Sequence, residues 1–356
     1  MYSRGKQNRL LFIDAMRSLG IFLVVAVHIE TFIYTDYVSL LGKIITSFFM
    51  QLFFFISGFC AYKKEYYWSM NSCFRQIINK FTSLVLPTII WGLIYTYFVL
   101  NEDYNYFLRG PYKAGYWFTL CLFEIFVIYY IVNGISYKIW KRGEKVESIS
   151  LLFTIMLAII FLSLKIPFNH YPLLDTIGCY SSLHFTFTYY IYFVLGLICS
   201  KYRSRLTAKI SNPLCIVVFF LSFFLINYYT PEIEGLWGMI IKEISEIIVG
   251  VSGVLMIFFI FSKYSDCFHR NKYLTYTIQF LGRRTLDIYF IHYFFLVPLP
   301  KLSSFLLTSS CALLDFIVDV ILSIIIIILC LLISRLLRGS RVLEKIFFGF
   351  SMRINN

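Results

Sequence analysis

The stretch FIDAMRSLGIFLVVAVHIE, residues 12–30, decides the fold class of this 356-residue chain. It is apolar and long enough to cross a lipid bilayer, which takes a helix of about 20 residues, yet it contains Asp14, Arg17 and His28. Ionisable side chains are costly inside a bilayer, so those found there are candidates for function. The stretch therefore predicts a membrane-spanning helix that also carries part of a functional site.

The composition extends this prediction to the whole chain. Hydrophobic residues make up 59% of it and charged residues only 14%, against about 25% charged in an average globular domain. We predict an all-α, polytopic integral membrane bundle in which residues 1–356 form one domain, without a separate soluble domain. The ten predicted transmembrane helices are about 10–34, 43–62, 80–100, 117–140, 149–166, 186–201, 213–229, 238–262, 278–299 and 312–337.

Positive charge alternates between the two ends of these spans. Lysines and arginines are concentrated before the first span and after the second, fourth, sixth, eighth and tenth, whereas the other junctions contain few. Cytoplasmic loops hold such an excess, so both termini are predicted to be cytoplasmic. This topology and contact with anionic membrane lipids account for the net charge of +13, and no nucleic-acid partner is expected.

Two other interpretations of local sequence fit less well. The first span is too long for the apolar region of a secretory signal, and no small-residue cleavage site follows it. The nine cysteines contain no CxxC pair, which argues against a zinc site and a disulfide framework, so no metal is expected. A disulfide between Cys179 and Cys311, near predicted outer loops, stays open.

Arg17 and His28 share one face of the first predicted helix. They lie eleven residues apart, which is about three helical turns or roughly 16 Å along the axis. Asp14 precedes Arg17 by three residues and is placed to pair with it. We interpret this stripe as a polar path along the helix. The alternative is that Arg17 extends to the inner surface and that His28 is a neutral histidine packed between helices.

A second set of ionisable residues lies in FLGRRTLDIYFIH, residues 280–292. Arg283 and Arg284 stand at the predicted cytoplasmic start of the ninth span, and Asp287 follows Arg284 by three residues. His292 lies deeper, at a level comparable with that of His28, so the spacing allows the two histidines to face each other across a cavity. The arginine pair also fits an ordinary topology signal.

Several motifs follow one another along nearly the whole chain. The first helix has an arginine, ten intervening residues and a histidine, with the arginine ending the sequence IDAMR. The later motifs are LFFFISGF at 52–59, a basic-then-proline segment from Arg75 to Pro87, YWFTLCL at 116–122, IYFVLG at 191–196 and LGRRTLDIYFIH at 281–292. In this order they resemble the membrane-bound acyltransferase family 3, whose members acylate polysaccharides, peptidoglycan, lipid-linked sugars and related acceptors. Thr285 stands where that family commonly has a serine.

The resemblance implies a membrane enzyme that transfers an acyl group, usually acetyl, from a coenzyme A thioester on the cytoplasmic side. The implied acceptor is a hydroxyl of a cell-surface polysaccharide or lipid-linked sugar, as in capsule, exopolysaccharide or O-antigen. The implied location is a bacterial cytoplasmic membrane, with acetyl-CoA as the expected donor. A hydroxyl is a poor nucleophile at neutral pH, so a neutral histidine that takes its proton suits this chemistry.

The candidate site residues take roles within this reaction. His28 is the candidate general base, and His292 is a second proton handler or a ligand of the acceptor. Arg17 is expected to bind a donor group or to stabilise developing negative charge. The remaining candidates are Arg283 and Arg284 for the coenzyme A phosphates, and Asp14 and Asp287 as supporting residues.

The acceptor would be contacted by outer residues. The longest polar outer segment, 168–184, contains His170, Asp175 and His184. Tyr116 and Trp117 stand at the outer start of the fourth span, where their rings are placed to stack on a sugar. A solvated loop and an interfacial aromatic belt are the alternatives for these two features.

Two other protein classes also fit a chain of many membrane helices. A flippase or transporter of lipid-linked oligosaccharides has ionisable residues at mid-membrane, but it usually shows internal repeats or paired interrupted helices, which the sequence does not indicate. A polysaccharide polymerase is expected to have a large outer loop, and the predicted outer loops here do not much exceed about twenty residues. The sequence indicates neither the oligomeric state nor the identity of the acceptor.

Overall fold

The computed structural model describes residues 10–34, 39–64, 68–140, 144–170, 178–209, 212–229, 235–309 and 311–349. Every regular element in these ranges is a helix, which confirms the predicted all-α membrane bundle. The α-helices are α1 (Leu11–His28), α2 (Leu40–Thr46), α3 (Phe49–Ala61), α4 (Met70–Lys80), α5 (Leu86–Phe98), α6 (Tyr104–Arg109), α7 (Trp117–Trp140), α8 (Glu144–His170), α9 (Leu183–Lys201), α10 (Arg203–Lys209), α11 (Asn212–Tyr229), α12 (Gly235–Lys263), α13 (Lys272–Ile291), α14 (Pro300–Ser309), α15 (Ala312–Leu337) and α16 (Arg341–Phe348).

Eight helical stretches in the described ranges are long and apolar enough to cross a membrane. They are Leu11–Ile33, Leu40–Ala61, Met70–Phe98, Trp117–Trp140, Lys145–Lys165, Leu183–Lys201, Gly238–Lys263 and Ala312–Leu337. The other two predicted spans differ from a simple crossing. The seventh is a shorter apolar helix, Pro213–Ile226, and the ninth is a pair of helices, Lys272–Phe295 and Pro300–Ser309, bent by 96°.

The first helix lies at the centre of the bundle. α1 is the most buried of the spanning helices, and it packs against α3, α13 and α15. Gly282 of α13 lies directly against the backbone of α1. A Cβ atom added at Gly282 would lie only 2.9 Å from the carbonyl oxygen of Asp14. One turn along α1, the Ser18 hydroxyl donates to the carbonyl of Ile278 over 3.1 Å. The first two turns of α1 therefore approach closely to the second and third turns of α13.

Both of these central helices lose their regular α-helical form at a histidine. α1 ends at His28 and continues as a π-helical turn, Ile29–Ile33. α13 ends one residue before His292, which begins the 3₁₀ turn His292–Phe295. The backbone amide of Leu299 then donates to the carbonyl of Ile33 over 3.1 Å, which joins the two irregular segments. The described spans therefore contain one interrupted span, the bent pair that includes α13, whereas α1 stays continuous through Ile33.

The cysteines of the described segments form no disulfide. Cys179 and Cys311 are both free thiols, so the bridge that the sequence left open is not formed. Helix packing accounts for the core instead. For example, Gly58 of α3 and Gly196 of α9 each let a backbone carbonyl of the other helix approach to where a Cβ would otherwise lie.

Candidate active site

His28 and His292 are in direct contact at the centre of the bundle. The Nδ1 atom of His28 lies 2.7 Å from Nε2 of His292, and the two rings are nearly parallel, at 6° with centroids 5.0 Å apart. His292 is fully buried, and His28 is half-buried. The histidines that the sequence placed at similar depth on two helices are therefore brought together.

The hydrogen bonds of His292 determine which nitrogens carry protons. Its Nδ1 lies 2.8 Å from the carbonyl oxygen of Tyr289 and 3.1 Å from that of Ile288. Carbonyl oxygens only accept, so Nδ1 of neutral His292 carries the hydrogen and Nε2 is an acceptor. Nδ1 of His28 then donates to His292, which leaves Nε2 of neutral His28 with an unshared electron pair. An unprotonated nitrogen of this kind is what a general base requires.

A cavity of about 510 Å³ leads from the inner end of the bundle toward these histidines. The inner end of the bundle is the end at which α1 begins, which the predicted topology places on the cytoplasmic side. The cavity begins beside Lys63 and Gln76 and reaches Val24 and Tyr289, which lie one turn before His28 and His292. Its deeper wall is apolar and aromatic, formed by Ile21, Val24, Met50, Phe53, Phe118, Leu122 and Tyr289.

The inner part of the cavity is positively charged. Arg17, Lys63, Lys80 and Arg283 line it, and no carboxylate is present among its described lining residues. The ammonium of Lys80 lies 3.8 Å from the ring centre of Phe126. Lys63 lies beyond the end of its membrane span, and burial lowers its pKa. Low-dielectric walls strengthen the field of such charges, so this part of the cavity suits an anion.

Arg17 is oriented by two neighbours. Its guanidinium lies 3.6 Å from the carboxylate of Asp14, and it donates to the thiol of Cys60 over 3.3 Å. The predicted pairing of Asp14 with Arg17 is therefore present. Asp14 is almost fully buried, whereas the side chain of Arg17 is 30% exposed and lines the cavity. The guanidinium thus remains accessible to a ligand.

Arg283 and Arg284 have different surroundings, although the sequence assigned them one role. Arg283 lines the cavity, whereas Arg284 is absent from its described lining and donates to Asp287 over 3.1 Å. Asp287 is 2% exposed and also accepts from Ser334 over 2.5 Å and from Arg338 over 2.9 and 2.8 Å. Asp287 therefore joins α13 to the inner end of α15.

The segment between α6 and α7 packs against Tyr289 and Tyr293 beside the histidine pair. The hydroxyls of Tyr289 and Tyr293 both donate to the carbonyl oxygen of Gly115, each over 3.1 Å. The Tyr293 hydroxyl oxygen also lies 3.5 Å from Nε2 of His28. The ammonium of Lys113 is buried and donates to the carbonyls of Leu108 and Cys179.

The residues predicted to contact an acceptor are mostly engaged within the protein. Tyr116 is fully buried and donates to the carbonyl of Phe290 over 2.9 Å. Trp117 stacks on Phe185, with ring centres 4.0 Å apart. His184 is half-buried, whereas the side chain of His170 and the whole of Asp175 lie outside the described residues. Among the described residues, no group of three His, Cys, Asp or Glu side chains has the arrangement of a metal site.

Sequence reasoning missed Lys63, Lys80 and Arg338 as parts of this region. Lys63 follows the second predicted span and Lys80 stands at the start of the third, where positive residues are expected from topology alone. Arg338 lies past the last predicted span. Lys80 has a sequence signal, because it lies within the basic-then-proline segment from Arg75 to Pro87, whereas Lys63 precedes that segment. No local signal indicates that Arg338 contacts Asp287.

A family described as "Acyltransferase domain" matches residues 10–335, which is most of the chain. Neither a curated protein nor a solved structure matches the chain. The matched region contains the histidine pair and all four cations of the cavity, and it ends shortly before Arg338.

Proposed function

The chain belongs to the acyltransferase 3 family of membrane acyltransferases, and from that premise we propose that it moves an acetyl group from acetyl-CoA to a sugar hydroxyl. The acceptor is a cell-surface polysaccharide or a lipid-linked sugar, and the membrane is the cytoplasmic membrane of a bacterium. The observation that carries the proposal is the position of His28. Its unprotonated Nε2 lies one turn beyond the apolar end of a cation-lined cavity.

The cavity matches the two halves of the proposed donor. Coenzyme A has a polyanionic nucleotide end and an uncharged arm that ends in the thioester. Arg17, Lys63, Lys80 and Arg283 supply charge-assisted hydrogen bonds for phosphates. The apolar stretch between Ile21 and Tyr289 accommodates the uncharged arm, so the thioester points toward the histidine pair.

The reaction then needs one base and one route for the proton. The acceptor hydroxyl gives its proton to Nε2 of His28 as its oxygen attacks the thioester carbonyl carbon. The carbon–sulfur bond breaks, its electron pair stays on sulfur, and His28 returns the proton to the thiolate. Nε2 of His292 accepts from Nδ1 of His28 throughout, which stabilises the imidazolium that exists between the two proton transfers.

An acceptor reaches His28 most directly from the outer half of the bundle. His28 is half-buried, its ring contacts Phe32 at 5.7 Å between ring centres, and Phe32 is 40% exposed. The donor cavity lies on the opposite, inner side of the histidine pair. This arrangement supports a donor in the cytoplasm and an acceptor that is attached to a lipid or lies outside.

One observation favours transport as a second candidate. The ninth predicted span is interrupted and bent by 96°, and interrupted helices form the substrate sites of many transporters. A transporter would move its substrate without forming a covalent bond. The fate of an acyl label therefore distinguishes the two functions.

The test uses purified protein in proteoliposomes that contain lipid-linked sugars extracted from the source membranes. Acetyl-CoA labelled in the acetyl group is supplied on the side of the protein that carries Arg17 and Lys63. Covalent transfer of the label to the lipid-linked fraction supports acyl transfer. Movement of unmodified lipid-linked sugar across the bilayer, with no label incorporated, would instead establish transport and reject the acyltransferase reaction.

A further inference from the structure

Two tyrosine hydroxyls converge on one carbonyl oxygen beside the proposed base. Tyr289 and Tyr293 lie about one helical turn apart and are both buried, and each hydroxyl donates to the carbonyl oxygen of Gly115 over 3.1 Å. Two donors at this distance from one oxygen form the geometry that stabilises an oxyanion in acyl-transfer enzymes. The carbonyl oxygen therefore occupies a position that suits a negatively charged oxygen.

Tyr289 lies at the donor cavity, and Tyr293 lies beside the base. Tyr289 lines the deep end of the cavity, where the thioester of the proposed donor ends. The Tyr293 oxygen is 3.5 Å from Nε2 of His28, and the two rings have centres 5.0 Å apart. A carbonyl group that reaches both hydroxyls would thus lie beside the nitrogen that takes the proton of the acceptor.

The segment that supplies the Gly115 carbonyl has an unusual backbone. Lys113, Ala114 and Gly115 have φ angles of 49°, 50° and 96°, which is the left-handed region. Residues other than glycine avoid this region, so the two that precede Gly115 are strained. A Cβ at Gly115 would lie 2.5 Å from Cζ of Tyr293, so only glycine permits this approach. The contact between Gly115 and Tyr293 thus forms despite this backbone strain, and the hydrogen bonds of Lys113 help to stabilise the segment.

We propose that Tyr289 and Tyr293 form the oxyanion hole of the acyl transfer, in which the thioester oxygen replaces the Gly115 carbonyl oxygen as the acceptor of both hydroxyls. This inference rests on the proposed function. When the acceptor oxygen attacks the thioester carbon, the carbonyl π electrons move to the carbonyl oxygen, and the two hydroxyls donate to that oxyanion. When the intermediate collapses, the carbonyl re-forms, the carbon–sulfur bond breaks, and the thiolate takes the proton held by His28. Both hydroxyls keep their own protons throughout.

The chain offers a matched control for these two residues. Tyr116 belongs to the same aromatic cluster, with its ring centre 5.2 Å from that of Tyr293, and it is equally buried. Its hydroxyl also donates to a backbone carbonyl, that of Phe290. That carbonyl is part of α13 rather than of the strained segment. Tyr116 directly follows Gly115, so loss of its hydroxyl reports the effect of removing one buried hydrogen bond of this segment without removing a donor to the Gly115 oxygen.

The experiment compares Tyr289→Phe, Tyr293→Phe and Tyr116→Phe in proteoliposomes with labelled acetyl-CoA and the lipid-linked sugar extract. We expect kcat to fall by about 10²- to 10³-fold for Tyr289→Phe and Tyr293→Phe, which is the usual effect of losing one oxyanion donor. The KM for acetyl-CoA should stay within about twofold, because the donor is bound mainly through its phosphates. Tyr116→Phe should keep kcat within about threefold of the unchanged protein.

Rates are expressed per folded molecule, with thermal stability and acetyl-CoA binding measured on each variant. A kcat within threefold of the unchanged protein for both Tyr289→Phe and Tyr293→Phe would overturn the oxyanion-hole proposal. An equal loss for Tyr116→Phe would overturn it too, because it would trace the effect to packing. If the unchanged protein transfers no label, the proposed function itself fails, and that outcome is separate from the other two.

Discussion

Replacing His292 by alanine tests how the histidine pair works. The substitution removes the acceptor of the 2.7 Å hydrogen bond from Nδ1 of His28 but leaves His28 itself in place. In the unchanged protein this bond fixes the tautomer of neutral His28, and it strengthens when His28 becomes an imidazolium. We therefore expect His292→Ala to slow transfer without abolishing the base.

The size of the effect follows from that hydrogen bond. A hydrogen bond to a charged group contributes about 1.5–3 kcal/mol. At about 1.36 kcal/mol for each factor of ten, its loss lowers kcat by about 10- to 150-fold. His292→Gln retains a side-chain oxygen that can accept from His28, so its kcat should lie within about tenfold of the unchanged protein.

The assay measures label transfer per folded molecule for His292→Ala, His292→Gln and the unchanged protein. Alanine at this buried position leaves a cavity, so thermal stability is recorded in parallel. A kcat for His292→Ala equal to that of the unchanged protein would refute the positioning role. A loss in His292→Gln as large as in His292→Ala would refute the argument that an acceptor at this position is what matters.

Further predictions concern the donor cavity and the topology. Arg17→Met, Lys80→Met and Arg283→Ala should each raise the KM for acetyl-CoA by about tenfold, because each removes a charge-assisted contact to phosphate. Arg284→Ala should raise this KM less, since Arg284 donates to Asp287 and is absent from the described cavity lining. Equal KM values for Arg283→Ala and Arg284→Ala would contradict this distinction. A reporter that is active only outside the cytoplasm should work when fused near Gly235 and fail when fused near Glu144 or at Asn356, and activity at Asn356 would contradict the predicted orientation.

Much of this site could be predicted from the spacing of residues within single helices. The pairing of Asp14 with Arg17 and the similar depth of His28 and His292 follow from the rise and period of an α-helix. The direct contact of the histidines could not be predicted in that way, because they are 264 residues apart. It depends on how closely α1 and α13 pack.

The breaks in the central helices were harder to predict. No proline or glycine occurs in Ile29–Ile33, so the π-helical turn has no local signal. The break after His292 has one, because Pro298 and Pro300 follow it closely in the sequence. The position of Gly115 between Tyr289 and Tyr293 depends on packing between distant segments, as does the bond from Arg338 to Asp287.

The most direct test of the central claim is label transfer by His28→Ala, measured per folded molecule and compared with His269→Ala. His269 is an exposed histidine in the turn Ser265–His269, and it lies outside the described cavity lining. If His28 is the general base, His28→Ala should lower transfer by about 10²- to 10⁴-fold while acetyl-CoA binding persists, and His269→Ala should transfer normally. Transfer by His28→Ala above about a tenth of the unchanged rate per folded molecule would contradict the claim.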